Sequence, residues 1–177
     1  MEPGRQIKWY VITGAPCSGK TAVIEELERR GYGVIHEVAR AYIDRQLSRG
    51  MQLYQIKADV LQFERHILHE KVRIEASLSK SETIFFDRGI PDSIAYFKLE
   101  GLDPEEPLRY SKSSSYRLIF FFERLDFLKD KVRSEDVKIA ARLNDLLLTA
   151  YRQVGYDIVM VPVMPVIDRA DLVLENI

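Results

Sequence analysis

Two kinds of apolar run alternate along the chain. Short, unbroken runs rich in β-branched and aromatic residues predict buried strands at Lys8–Thr13, Gly33–His36, Thr83–Phe86, Leu118–Phe122 and Asp157–Val161. Longer stretches with apolar residues at helical spacing separate them. Thr21–Arg30 carries Ala22, Val23, Ile24 and Leu27 among charges, with acids early and bases late, and Gly31 stops it. Ala39–Arg49 predicts a second helix, closed by Gly50, and Leu53–Leu78 a single long one. Pro91 opens a helix carrying Ile94, Ala95, Phe97 and Leu99. Glu105–Tyr110 follows as a short helix and Ser111–Ser115 as a polar loop. Glu135–Val154, stopped by Gly155, and Val166–Ile177 complete the helices. Strands without polar alternation are buried on both faces, so the pattern predicts an α/β fold, a parallel sheet sandwiched by helices.

Between the first strand and the first helix lies Gly14-Ala15-Pro16-Cys17-Ser18-Gly19-Lys20-Thr21, which fits G-x-x-x-x-G-K-[ST] at every position. Glycines let a backbone curl until several N–H groups converge on one anion, and the helix that follows points its positive end at the same spot. Lys20 adds a mobile cation for the β- and γ-phosphates, and Thr21 offers a hydroxyl to Mg²⁺. The bland alternative is a tight turn with an incidental Lys-Thr pair.

Four further segments bear on the same chemistry. Asp87 ends the third predicted strand, so its carboxylate emerges at the carboxyl edge of the sheet, where open α/β sheets bind ligands and where it would hold Mg²⁺. Otherwise it caps a helix or turn. Arg88, beside it, reaches a phosphate or an acceptor hydroxyl, or forms a surface ion pair. Glu37 closes the second strand at the same edge and is a candidate to accept the proton of an attacking hydroxyl, or a structural partner of Arg40. The charged stretch 123–134 reads as a lid delivering arginine to the transferring phosphate, Arg133 first and Arg124 second, with Lys129 and Lys131 beside them. Its interleaved acids also admit a solvated charge run. Pro162–Val166 either presses on a nucleotide base or merely joins strand to helix.

Length and composition narrow the setting. A chain of 177 residues, 46% hydrophobic and 30% charged, fits one domain over 1–177 and excludes collagen-like and disordered classes. Such a chain buries roughly 70% of its unfolded surface without disulfides or metal. Lys plus Arg is 26 against 27 for Asp plus Glu, which argues against a dedicated nucleic-acid or membrane-surface protein. The single cysteine, Cys17, allows no internal disulfide and suits a reducing compartment. It is a small filler in the loop or a thiol activated by the helix N-terminus. No apolar run approaches about 18 residues and the first residues lack a signal-peptide stretch, so the expectation is a cytoplasmic protein. His66 and His69 share a helix face, but no third ligand accompanies them, and they read as surface residues.

Taken together, Thr13–Thr21, His36-Glu37-Val38-Ala39-Arg40, Phe85–Ser93, Lys129–Arg133 and Gly155–Pro162 resemble, in order, the P-loop, Glu-x-Ala-Arg, Asp-Arg-Gly, lid and final-strand elements of one family. It is a family of small AAA-type predicted P-loop ATPases and kinases that includes the kinase half of bacterial ribosylnicotinamide kinase/adenylyltransferase proteins. The resemblance implies a nucleoside- or nucleotide-kinase-like three-layer fold, five parallel strands in the order 2-3-1-4-5. It implies ATP with Mg²⁺ at Gly14–Thr21 and contacts to metal or acceptor from Asp87 and Arg88. Substrate contacts are implied from Glu37, Arg40 and Arg88, and from Asp92 in the Asp-Arg-Gly element. Domains that some relatives add do not fit in this length.

Two functions follow. The first is a kinase that transfers the γ-phosphoryl of ATP, or of GTP, to a hydroxyl of a small metabolite, nucleoside-like such as nicotinamide riboside. The second is a regulatory ATPase or GTPase module without a small-molecule acceptor, weakened by the lack of an Asn-Lys-x-Asp string. The kinase needs an acceptor pocket built from Glu37, Arg40, the 53–78 helix and the 91–110 region. The switch needs none. Homo-oligomerisation is left open.

Overall fold

Strand β1 (Trp9–Thr13) is buried along its whole length and takes the centre of the sheet. The computed structural model describes residues 7–124 and 134–177. On one side of β1 lies β3 (Ile84–Asp87) and then β2 (Gly33–Ile35). On the other lie β4 (Leu118–Phe122) and then β5 (Ile158–Val161). Every pairing is parallel, and the order is the implied 2-3-1-4-5.

Alternation along the strands divides the core between two faces. Tyr10 and Ile12, with Phe85, Phe120 and Phe122, pack on Val23, Ile24 and Leu27 of α1 (Lys20–Arg29) and on Ala170 and Val173 of α8 (Val166–Glu175). Trp9, Val11, Ile84, Phe86 and Ile119 face the opposite way, toward Tyr116 and Tyr151. On that side Phe121 meets Ile94 and Ala95 of α5 (Asp92–Leu99) and Leu143 and Leu147 of α7 (Ser134–Val154). Each large side chain removed from water contributes about 1.5–3 kcal/mol, so a fully buried strand such as β1 favours a central position.

The long helix expected over Leu53–Leu78 is two helices, α3 (Leu53–Ile56) and α4 (Val60–Ser77). Asp59 breaks it: its carboxylate accepts the Gln62 N–H at 2.9 Å and caps α4. Helix α2 (Val38–Ser48) precedes them. The loop expected over Ser111–Ser115 is partly helical, because α6 (Glu105–Ser113) continues through it. The Ser111 hydroxyl donates to the Pro107 carbonyl one turn back at 2.7 Å, which keeps a residue that otherwise favours turns inside the helix. No helix among the described residues is long and apolar enough to cross a membrane.

Register brings the strand ends level. Ile12 lies opposite Asp87 on one side and Phe120 on the other, so Thr13, Asp87 and the residues after β2 and β4 meet at one edge. There the chain leaves β1 through Gly14 at φ 140°, pressed against β4: a Cβ would lie 2.5 Å from the Phe122 carbonyl oxygen. Gly14→Ala should therefore cost about 1–3 kcal/mol, read as a lower urea midpoint at unchanged slope.

Candidate functional site

The loop from Gly14 to Thr21 is curled by three positive φ angles, at Gly14 (140°), Cys17 (62°) and Gly19 (81°). Gly19 is the N-cap of α1, so the helix starts at Lys20 and presents its first turn to the loop. Ala15 and Ser18 are buried, while Pro16, Cys17 and Thr21 are exposed. Lys20 is 6% exposed, and its ammonium donates to the Ala15 carbonyl at 2.9 Å and the Ser18 hydroxyl at 3.0 Å. Burial and then Arg88 pull its pKa down to about 8 against the opposing pull of Asp87, Glu37 and Asp92. A cation held in this way is relieved by an arriving anion.

Asp87 is buried where β3 ends, and its Oδ1 has no hydrogen-bond partner among the described residues. Burial raises its pKa. Arg88 follows at φ 73°, a conformation that costs about 1–3 kcal/mol for a side chain of this size. Its N–H is held by the Ile12 carbonyl at 3.1 Å. Its guanidinium is buried, not a surface group, and donates to the Gly14 carbonyl and the Asp92 carboxylate, both at 3.2 Å. Glu37 lies 3.5 Å away and the Tyr96 ring 5.5 Å. Burial works against its charge, but Tyr96, Asp92, Glu37 and Asp87 outweigh it and hold the pKa above the ordinary value.

The turn after Arg88 is fixed from four directions. Gly89 donates its N–H to Asp92 Oδ2 at 3.0 Å and to the Tyr151 hydroxyl at 3.2 Å, and its carbonyl accepts from Lys71 at 2.9 Å. Ile90 donates to the Tyr116 hydroxyl at 2.8 Å, and that hydroxyl donates to Glu75. Asp92 departs from expectation. Placed among the acceptor contacts by sequence, it has no exposed surface, and its carboxylate takes hydrogen bonds from Thr13 (2.7 Å), Arg88, Gly89 and Tyr151. It positions the Arg88 turn.

Glu37 is the N-cap of α2, aimed at Arg88 and not at Arg40. Together with Arg40 and Arg88 it lines a cavity of about 390 Å³ walled by α2, α3, α4 and α5. Phe63, Glu64, Ile67 and Lys71 come from α4, Ser93 and Tyr96 from α5. These come from the segments out of which the sequence expects an acceptor pocket. Arg124, just past β4, is half-buried and lines a separate cleft with Asn144 and Asp145. Lys129, Lys131 and Arg133 lie outside the described residues. His66 packs on Tyr42 and His69 pairs with Glu106 at 2.8 Å, both surface contacts.

Sequence reasoning missed Arg169. Only 2% exposed, it reaches from α8 to the Ser18 carbonyl of the loop and, at 2.8 Å, to the Pro162 carbonyl after β5. Its guanidinium lies 5.1 Å from the Phe122 ring centre. One side chain thus ties the phosphate loop to the connection that sequence offered to a nucleotide base. Its only sequence trace is a cation in an otherwise apolar helical stripe, which is a common surface pattern.

A family model described as an AAA domain matches residues 9–169. The chain belongs to the AAA domain family. A search of the curated proteins finds no match to the sequence. Among solved structures, thymidylate kinase from Ehrlichia chaffeensis shares 14% identity over 98% of each chain at a TM-score of 0.69. Deoxyadenosine kinase from M. mycoides, solved with the products dCMP and dCDP, shares 18% over 95% of this chain and 97% of that one, at 0.65. NadR protein in complex with NR shares 16%, covering 96% of this chain and 50% of that one, at 0.69. This AAA-family domain therefore has the nucleotide-kinase fold and the architecture of a P-loop kinase or ATPase.

Two consequences are measurable. Arg169→Met leaves the Ser18 and Pro162 carbonyls without their donor, so stability should fall by about 2–4 kcal/mol, with weaker nucleotide affinity in the same protein. Burial pushes the Glu75 carboxyl up to about 7, from 4.5, against the Tyr116 hydrogen bond and the charges of Lys71 and Lys80. Between those values the folded chain holds a proton that the unfolded chain has released, so this group's contribution to stability is lost as pH rises through 7. Glu75→Gln should gain on the order of 1–3 kcal/mol relative to the parent on going from pH 5 to pH 8, in paired denaturation series.

Proposed function

We propose that this protein is a cytoplasmic small-molecule kinase that moves the γ-phosphoryl of ATP, or of GTP, onto a hydroxyl of a nucleoside-like acceptor. One observation carries the reading: the phosphate loop and a separate 390 Å³ cavity meet at the Glu37–Arg88 pair. A plain hydrolase needs no second cavity at that junction. The cavity is of a size that small-molecule sites commonly have.

The roles follow from placement. The Gly14–Thr21 loop holds the phosphates, and Lys20 exchanges its bonds to Ala15 and Ser18 for them. Arg88, locked by Asp92 and Gly14, keeps fixed positive charge between phosphate and acceptor, where charge develops as the phosphoryl moves. Glu37 is the candidate base: held beside Arg88 and facing the cavity, its carboxylate receives the acceptor's hydroxyl proton. Arg40 stands at the cavity rim, exposed, for the acceptor's outer part. Arg124 and Pro162 are assigned to the nucleotide and Arg133 to the lid. Thr21 and Asp87 would hold Mg²⁺, and the buried, unpartnered Oδ1 of Asp87 fits a cation. When bound, the ion neutralises phosphate charge. Positioning and fixed charge provide most of the acceleration in this chemistry.

The decisive assay is ADP release with ATP and Mg²⁺ against a panel of nucleosides, nicotinamide riboside, nucleoside monophosphates and sugars. Acceptor-dependent release is expected. Lys20→Ala should abolish it, and Glu37→Gln should lower kcat by roughly 10²-fold or more at similar nucleotide KM. Hydrolysis indifferent to every acceptor would overturn the kinase and establish the regulatory ATPase instead.

A further inference from the structure

Glu64 is a carboxylate of the acceptor cavity that no protein group among the described residues answers. It lies on α4, 8% exposed, and lines the 390 Å³ space. No hydrogen bond or ion pair reaches its carboxylate among the described residues, and its oxygens are not fully enclosed, so they open onto the cavity. Partial withdrawal from water without a partner is costly. Neighbouring cations offset only part of that cost. Lys71, one face of α4 further on, gives its ammonium to the Gly89 carbonyl. Lys57 lies over the Phe63 ring, 5.3 Å from its centre.

We propose that Glu64 selects the acceptor, its carboxylate receiving an amino or carboxamide N–H from a nucleoside whose hydroxyl lies against Glu37. The inference rests on the kinase reading of the same cavity.

The surroundings set the class. Burial raises the Glu64 pKa. Glu37 caps α2 and lies 3.5 Å from Arg88 beside the phosphate loop, whereas Glu64 lines the cavity from α4. The two carboxylates thus enter one space from different elements, Glu37 on the phosphate-loop side. Phe63, Ile67 and Tyr96 supply apolar and aromatic wall for a flat ring. Of the buried cations of the lining, Lys71 donates to the Gly89 carbonyl and Arg88 to Gly14 and Asp92. A ring bearing an N–H donor suits the open carboxylate of Glu64. A site built around a buried polar group discriminates strongly, because a ligand lacking the matching donor leaves that group unpaired.

The test is titration calorimetry of the whole protein, without nucleotide, using cytidine, adenosine and nicotinamide riboside, each beside its N,N-dimethyl analogue. Parent compounds should bind the native protein on the order of tenfold or more tightly than the dimethyl forms. That preference should vanish in Glu64→Leu and shrink in Glu64→Gln, with ATP affinity unchanged in both. Because a lone buried acid is removed, both variants should melt at the native temperature or above it. A residue present only for structure would lower it. Equal ranking of parent and dimethyl ligands in all three proteins overturns the proposal, as does failure of the native protein to bind any parent compound. Binding that depends on Glu64 but leads to no phosphoryl transfer supports this assignment and overturns the kinase reading alone.

Discussion

One buried guanidinium organises the site. Arg88 sits in a left-handed conformation that a side chain avoids, and its charge lies out of water. The Gly14 carbonyl, the Asp92 carboxylate and Glu37 offset the second cost, while its Nε has no hydrogen-bond partner among the described residues. Each partner belongs to a different segment. Gly14 opens the phosphate loop, Asp92 begins α5 and Glu37 begins α2. Satisfying one arginine therefore fixes three chain segments against one another.

The sheet makes that convergence available. Parallel strands in the order 2-3-1-4-5 bring the ends of β1 and β3 side by side, so the loops after them share one edge. Behind the edge, Tyr116 and Tyr151 put phenol oxygens under the backbone of Gly89 and Ile90, and Lys71 closes on the Gly89 carbonyl. A polar network of this kind is rigid only while every member is satisfied. Gly89 is the narrow point, since a Cβ there would lie 2.9 Å from the Tyr116 hydroxyl.

The strands and the phosphate loop were legible because their signals are local. An unbroken apolar run such as Leu118–Phe122 has few competing readings, and a full phosphate-loop string between strand and helix has fewer. The edge positions of Glu37, Asp87 and Arg88 followed from the strand ends. What escaped depends on side chains meeting across the fold. Arg169 bonds to Ser18 from across the chain, and nothing around it in sequence distinguishes it from a surface cation. Asp92, implied as a substrate contact, is instead buried on partners, Thr13 and Tyr151, that come from distant elements. The break between α3 and α4 was visible in Asp59, but an apolar period that resumes in phase hid it.

The ammonium of Lys20 ends on oxygens of its own loop. An incoming polyphosphate thus meets a competitor built into the backbone, and its affinity reports a difference between two sets of partners. An anion arriving there must outdo the two bonds it displaces, so part of its grip is spent on the loop's own oxygens.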